Sequence, residues 1–171
     1  YDSNAVAAVS DHGTRYAVPL ASKSIALYVN TALLPSAHLP RTLDDLERLT
    51  GKLGPRVFPL VYEAQSVYFH AALLHAYGGR LGGGQTYAMV GPEAERAAEK
   101  ARSLIANGVV PPEPSGDLVK QLFASGRAAA AISGPWLAGD RPASVRYRVV
   151  PLPSIEGASA MRPFLTVDGA F

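Results

Sequence analysis

The stretch Ala128-Ala129-Ala130-Ala131-Ile132-Ser133-Gly134-Pro135-Trp136 decides the fold of this chain. Its first five residues are all apolar, and a short unbroken apolar run of this kind predicts a buried strand. The Ser-Gly-Pro sequence after it predicts a sharp turn, which leads at Trp136 into a helix. A buried strand that turns directly into a helix is typical of an α/β sheet whose two faces are both covered.

The rest of the chain alternates strand and helix signals in the same way. Strands are predicted over residues 16–20, 25–30, 57–61, 147–152 and 164–171, and helices over 42–53, 65–77, 92–107 and 117–125. The glycine-rich segment 82–84 is predicted to be a mobile loop. This alternation predicts an α/β fold with a mainly parallel sheet flanked by helices.

Length and composition restrict the class of protein. The chain has 171 residues, of which 48% are hydrophobic and 18% charged, and this suits one α/β domain or a single lobe of a larger protein. The net charge is +2 and the basic residues are scattered, so a nucleic-acid partner is not expected.

There is no cysteine, so disulfides and thiolate nucleophiles are excluded. No apolar run approaches the ~20 residues of a membrane-spanning helix, so membrane insertion of this segment is not expected. Residues 164–171 read as a strand interrupted in mid-course, so we expect the chain to be part of a longer protein.

Patterns for catalysis or cofactor binding are weak. No G-x-S-x-G motif is present, and His70 and His75 are five residues apart, which is the wrong spacing for a shared metal ion on one helix face. The glycines of 78–84 lack the Lys-Ser/Thr ending of a phosphate-binding loop. Glu63 is the one acid in an aromatic setting, and no second carboxylate accompanies it, so a glycoside-acting enzyme is a weak alternative. We therefore predict no enzyme activity, no metal and no cofactor.

A set of aromatic and polar residues at the ends of predicted elements remains. Sugars are bound by such sets, because an aromatic face packs on the apolar C–H side of a pyranose while polar groups bond its hydroxyls. The alternative for Trp136 and Phe69 is a purely structural role in the core. The candidate ligand-binding residues are Tyr62, Glu63, Gln65, Ser66, Tyr68, Phe69, Trp136 and Lys23.

Several segments, in this order, resemble the central portion of the family 1 extracellular solute-binding proteins of ABC importers, the class that includes maltose-binding proteins. The most specific combination is F-x-x-G-x-A-A before a strand, followed by S-G-P-W after it. Further similar segments are residues 13–20, 26–30, 40–46 and 149–153.

The resemblance implies a periplasmic-binding-protein type II lobe. Residues 1–171 would form one lobe, the second of two, with hinge strands near residues 6–9 and 165–171. The implied partners are an oligosaccharide and the permease subunits of an ABC transporter, and the implied location is periplasmic or extracellular.

The resemblance also assigns roles to particular residues. Trp136 matches the family's stacking tryptophan, and Tyr68 and Phe69 match an aromatic pair at the start of a helix. Lys23 stands where a maltose-binding protein has a carboxylate, and Ser66-Val67 replaces a Glu-Pro pair. We therefore expect binding of a maltose-like sugar or oligosaccharide with hinge closure. The alternative is an interaction or regulatory domain of the same fold that binds no sugar, conceivably fused to the permease.

Overall fold

The computed structural model describes residues 2–35, 37, 39–83, 86–139 and 145–171. These residues divide into two compact units. Unit 1 combines the two ends of the chain, up to Ser24 and from Phe164 onward, whereas unit 2 is the continuous segment Ile25–Pro163. Both predicted hinge segments belong to unit 1.

Unit 1 is built on two strands from opposite ends of the chain. Its elements are α1 (Ser3–Ala8), β1 (Ser10–Asp11), β2 (Thr14–Arg15), β3 (Val18–Lys23) and β10 (Thr166–Ala170). Strands β3 and β10 pair antiparallel, with a bulge between Asp168 and Gly169. Thr166 Oγ1 also donates to the Lys23 carbonyl, at 3.1 Å.

Residues near 6–9, expected to form a hinge strand, instead end the helix α1. The Asp2 side chain caps this helix by accepting hydrogen bonds from the backbone N–H groups of Asn4 and Ala5, at 2.9 and 3.3 Å. The β-branched Val6 and Val9 favour a strand, but the cap satisfies the free N–H groups of the first turn and stabilises the helix. The predicted strand at this position was wrong.

Unit 2 contains a four-stranded sheet, a small hairpin and the remaining helices. The strands are β4 (Ala26–Asn30), β5 (Phe58–Val61), β6 (Gly82–Gly83), β7 (Thr86–Tyr87), β8 (Ala128–Ser133) and β9 (Tyr147–Val150). The helices are α2 (Leu43–Glu47), α3 (Val67–Ala76), α4 (Pro92–Ala106), α5 (Gly116–Ala124) and α6 (Trp136–Gly139).

The sheet has the order β5-β8-β4-β9 and is mixed in direction. Strands β5 and β8 are parallel, whereas β4 is antiparallel to both β8 and β9. The α/β class is confirmed, but the expectation of a mainly parallel sheet holds only for the β5–β8 pair. An alternation of strands and helices in the sequence does not specify whether a strand runs parallel or antiparallel to its neighbours. Here β8 lies between β4 and β5, parallel to β5 and antiparallel to β4.

The inner strands β4 and β8 are buried on both faces of the sheet. Leu27 and Val29 of β4 pack in a core with residues of α2, α3 and α4, while Tyr28 between them packs with residues of α5 and α6 on the other side. All six residues of β8 are buried, as the unbroken apolar run predicts.

Two local predictions need correction. The helix predicted over 42–53 is only the five-residue α2, which Thr42 and Asp45 start as a reciprocal capping box, while turns follow Glu47. Leu49 and Leu53 still pack against the core without continuing the helix. The glycine segment expected to be a mobile loop contributes Gly82–Gly83 to a hairpin with Thr86–Tyr87, and Gly84 lies outside the described residues.

Two valines of adjacent strands test this packing. Val29 is fully buried, whereas Val149, on the strand paired with β4, is 52% exposed. We expect Val29→Ala to lower the free energy of unfolding by about 2 kcal/mol, because the lost methyl groups leave a cavity. Val149→Ala should change it by less than about 0.5 kcal/mol. Urea unfolding followed by Trp136 fluorescence measures both, and equal effects would contradict the assigned packing.

Candidate ligand-binding site

The candidate site lies at the carboxyl edge of the β5–β8 pair. Because these strands are parallel, the segments that follow them emerge at the same edge of the sheet. Residues 62–66 lead from β5 into α3, and Gly134-Pro135 leads from β8 into α6. The topology therefore brings two segments far apart in sequence to one place.

Three aromatic rings meet at this edge, and we call Tyr68, Phe69 and Trp136 the aromatic patch. The ring centroid of Trp136 lies 6.3 Å from that of Tyr68 and 6.5 Å from that of Phe69. Tyr68 and Phe69 are 5.5 Å apart in an edge-to-face arrangement. These separations are those of interacting aromatic pairs, so the three rings hold one another in fixed positions.

The patch has a buried part and an accessible part. Phe69 is 4% exposed, Tyr68 is partly buried, and Trp136 is 36% exposed. The most accessible of the three aromatic residues is thus Trp136, and it lies beside two rings that are more buried. Phe69 is therefore a core residue, whereas Trp136 stays partly accessible to solvent.

Gly134 makes the position of Trp136 possible. A side chain at residue 134 would overlap the six-membered ring of Trp136, which folds back over the glycine. The carbonyl of Gly134 also accepts a 2.9 Å hydrogen bond from the hydroxyl of Tyr28, a buried residue of β4. Burial is the main cause that raises the Tyr28 pKa, so this hydroxyl stays protonated and able to donate. The quoted S-G-P-W motif contains the glycine, but no sequence signal singled out Tyr28.

Two polar candidates, Gln65 and Ser66, precede α3. Ser66 occupies the N-cap position, yet its side chain makes no capping hydrogen bond. Its backbone instead holds the turn, since its N–H donates to the Glu63 carbonyl at 3.0 Å. Gln65 is exposed in the same turn.

Glu63 lies where β5 leads into α3, with its carboxylate against the first residue of α5. A Cβ atom added at Gly116 would be 2.9 Å from Glu63 Oε1, so only glycine lets the carboxylate lie so close. The start of a helix stabilises negative charge. Glu63 forms no ion pair with any residue that the structure describes. Gly116 was not among the sequence candidates, because nothing in the sequence links it to Glu63.

Tyr62 lies beneath the surface. Its side chain is 1% exposed, and its hydroxyl makes no hydrogen bond within the described part of the chain. Burial raises the pKa of Tyr62 well above its usual value, so the hydroxyl stays protonated. Sequence alone did not distinguish this buried tyrosine from its partly exposed neighbour Tyr68.

Lys23 belongs to unit 1, unlike the other seven candidates. Its ammonium group lies 2.8 Å from a carboxylate oxygen of Asp168, across the β3–β10 pair. Both side chains are well exposed, so the ion pair contributes little stability. The ammonium group of Lys23, which was expected to contact a ligand, is thus paired with Asp168. Asp168 was not among the residues that the sequence suggested.

Among the described residues, no group of three or more histidine, aspartate or glutamate side chains has a geometry suited to a metal ion. Within the same residues, no helix combines the length and the apolar character needed to span a bilayer.

Comparison with known proteins gives consistent results. The family described as "Bacterial extracellular solute-binding protein" matches residues 1–170. The maltodextrin-binding protein MdxE of Bacillus subtilis (strain 168) is 31% identical over 91% of this chain and 41% of its own length. The galactooligosaccharide-binding protein of the same organism is 25% identical over 89% of this chain and 39% of its own length. The chain therefore spans about two fifths of the length of these relatives.

Solved structures agree with the sequence comparisons. A cyclo/maltodextrin-binding protein complexed with maltotetraose superimposes with a TM-score of 0.84 at 28% identity, covering 99% of this chain and 46% of that one. The maltose-maltodextrin binding protein of Alicyclobacillus acidocaldarius gives 0.87 at 26% identity, covering 100% and 47%.

Membership of this family confirms two expectations from the sequence. The fold is that of the type II periplasmic sugar-binding proteins. The chain is also not an enzyme, since the family consists of proteins that bind solutes, and the glycoside-acting alternative built on Glu63 is excluded. With a match over almost its whole length and this fold, the chain belongs to the bacterial extracellular solute-binding proteins.

Proposed function

We propose that this chain is the ligand-contacting part of one lobe of an oligosaccharide-binding protein that serves an ABC importer. The aromatic patch carries the proposal, because Trp136 presents part of its ring at the carboxyl edge of the sheet. The names of the similar proteins support the same ligand class, since they specify maltodextrins or galactooligosaccharides.

The three rings take different parts in this proposal. Trp136 and the partly exposed Tyr68 stack on the apolar C–H face of a pyranose. Phe69 is buried and meets the Trp136 ring edge-on, at an interplanar angle of 90°, so it supports Trp136 from beneath. A ring held in place before binding loses little conformational entropy when the sugar arrives.

The hydrogen-bonding groups differ from those expected for a maltose-binding protein. Carboxylates are absent at Lys23 and Ser66, so we assign the acceptor for sugar hydroxyls to Glu63, whose carboxylate lies against the first residue of α5. Gln65 and Ser66 add donors and acceptors at the start of α3. Buried Tyr62 has a supporting role, and Lys23 takes part only if it leaves Asp168.

The same proposal covers the wider setting of the chain. Residues 1–171 would belong to a single lobe, connected through segments near 6–9 and 165–171 to a second lobe that closes on the sugar. The closed form would then be recognised by the permease subunits of the importer, in the periplasm or at the outer surface of the cell. The extracellular character of the family supports this location.

A second candidate function keeps the fold without the sugar. An interaction or regulatory domain, free or fused to a permease, is favoured by the Lys23–Asp168 ion pair and by the serine at position 66. The two candidate functions can be distinguished by the fluorescence of Trp136, because under the second one no sugar would change the environment of this residue.

Replacing Trp136 tests the first proposal directly. In the full-length protein we expect Trp136→Ala to weaken binding of maltotriose or a related oligosaccharide about tenfold or more, because a large stacked apolar surface is lost. Trp136→Phe, which keeps a ring, should retain more affinity. Isothermal titration of a panel of maltodextrins and galactooligosaccharides supplies the measurement. Failure of the unaltered protein to bind any sugar would favour the second candidate function.

Gly134→Ala tests how the patch is built. The added methyl group would overlap the Trp136 ring, so the ring must move, and we expect sugar affinity to fall about tenfold while the protein stays folded. Gly139→Ala is the matched control, because no atom of the described residues lies within 4 Å of a side-chain atom added there. Near-ultraviolet circular dichroism reports the ring displacement. An unchanged spectrum for Gly134→Ala would contradict the close contact.

Glu63→Gln tests whether the negative charge of Glu63, and not only the size of its side chain, contributes to sugar affinity. The substitution keeps the size of the side chain but removes the ionised acceptor, and we expect about a tenfold loss of sugar affinity, since hydrogen bonds to charged groups are the stronger ones. Glu99→Gln on the exposed surface of α4 is the control and should bind like the parent. Equal affinities of the parent and Glu63→Gln would remove Glu63 from the site.

A further inference from the structure

A second, chemically different cavity lies at the other end of α3. It has a volume of about 440 Å³ and is lined by His75, Gly78, Gly79, Arg80 and Arg162. The aromatic patch includes the second and third residues of α3, and a ten-residue helix is about 15 Å long. The cavity is therefore separate from the proposed sugar site.

Two hydrogen bonds attach the loop carrying Arg162 to the end of α3. The N–H of Ser159 donates to the carbonyl of Ala76 at 3.0 Å. The Nδ1 atom of His75 lies 2.7 Å from the carbonyl oxygen of Arg162. Because a carbonyl oxygen only accepts, Nδ1 carries the hydrogen in this bond. One wall of the cavity is thus held in place by the fold.

The glycine pair after α3, Gly78 and Gly79, also lines the cavity. Gly78 has a φ of +88°, a backbone conformation that favours glycine, and it ends the helix. A side chain at Gly79 would overlap Leu74 and lie 3.2 Å from the Cβ of Glu93, so the chain passes tightly over the helix. This close turn brings Arg80 to the same cavity as Arg162.

The charge of this cavity is not balanced from within the described chain. Arg48 and Arg96 each pair with a carboxylate, at 3.1 and 3.4 Å, whereas neither Arg80 nor Arg162 has such a partner among the described residues. None of the described residues that line the cavity is acidic. Two guanidinium groups at one polar cavity repel each other, and an anion between them would remove that repulsion.

We propose that this cavity binds a phosphate-type oxyanion. The planar guanidinium group offers paired N–H donors that match two oxygens of a phosphate, and a lysine in its place would lack that geometry. The His75 ring adds a polar wall. The anion is either free phosphate, including a phosphate ester, or the headgroup of an anionic phospholipid.

The test uses the full-length protein and two probes. Inorganic phosphate is titrated calorimetrically, and vesicles of phosphatidylglycerol are compared with vesicles of phosphatidylcholine by co-sedimentation. In the double variant Arg80→Gln/Arg162→Gln we expect about tenfold or greater loss of affinity for the probe that binds. The control Arg56→Gln/Arg148→Gln removes the same charge at exposed positions outside the cavity and should change affinity less than about twofold.

The outcomes distinguish the two sources of the anion and show which results would contradict the proposal. Binding of inorganic phosphate identifies a free anion as the ligand, and binding of phosphatidylglycerol vesicles alone identifies a headgroup. Binding of neither probe overturns the proposal, as do equal losses in both double variants, which would reflect net charge only. Sugar affinity should be unchanged in both double variants, so this test is independent of the proposed function.

Discussion

Complete burial of β8 between two layers of helices is the constraint on which the rest of unit 2 depends. Its side chains are mostly methyl groups, so neighbouring strands and both helical layers approach closely. With β5 parallel to it on one side, the chain after each strand emerges at the same edge. The aromatic patch, the Tyr28–Gly134 hydrogen bond and the approach of Glu63 to α5 all follow from that edge.

Local signals in the sequence predicted most of the elements but not their long-range relations. The apolar run of β8 and the helix predicted over 92–107 depend on neighbouring residues, and both elements appear where expected. The direction of β4 relative to β8 depends on residues a hundred positions apart, and the sheet is accordingly less parallel than predicted. At the N-terminal end, the cap provided by Asp2 outweighed the strand preference of two valines.

In the candidate site, too, residue types were predictable from the sequence, whereas their burial and neighbours were not. Tyr68, Phe69 and Trp136 were chosen from aromatic type and position, and the structure brings them together. Whether an aromatic residue faces solvent or the core depends on tertiary packing, so Tyr62 and Phe69 were not separable from Tyr68 by sequence. The neighbours that shape the site, Gly116 and Tyr28, have no chemical signature of their own, because they act through the space or the hydrogen bond they offer.

The pairing of β3 with β10 has a consequence for the order of folding. The hydrogen bond between Thr166 and Lys23 closes a loop of 143 residues, whereas unit 2 is one continuous segment with many local helices. Loop closure costs entropy that rises with the logarithm of loop length, and contacts of high sequence separation form slowly. We therefore expect β3 and β10 to pair after unit 2 has folded. Unit 1 is therefore expected to assemble last and, during synthesis on the ribosome, only after β10 has emerged.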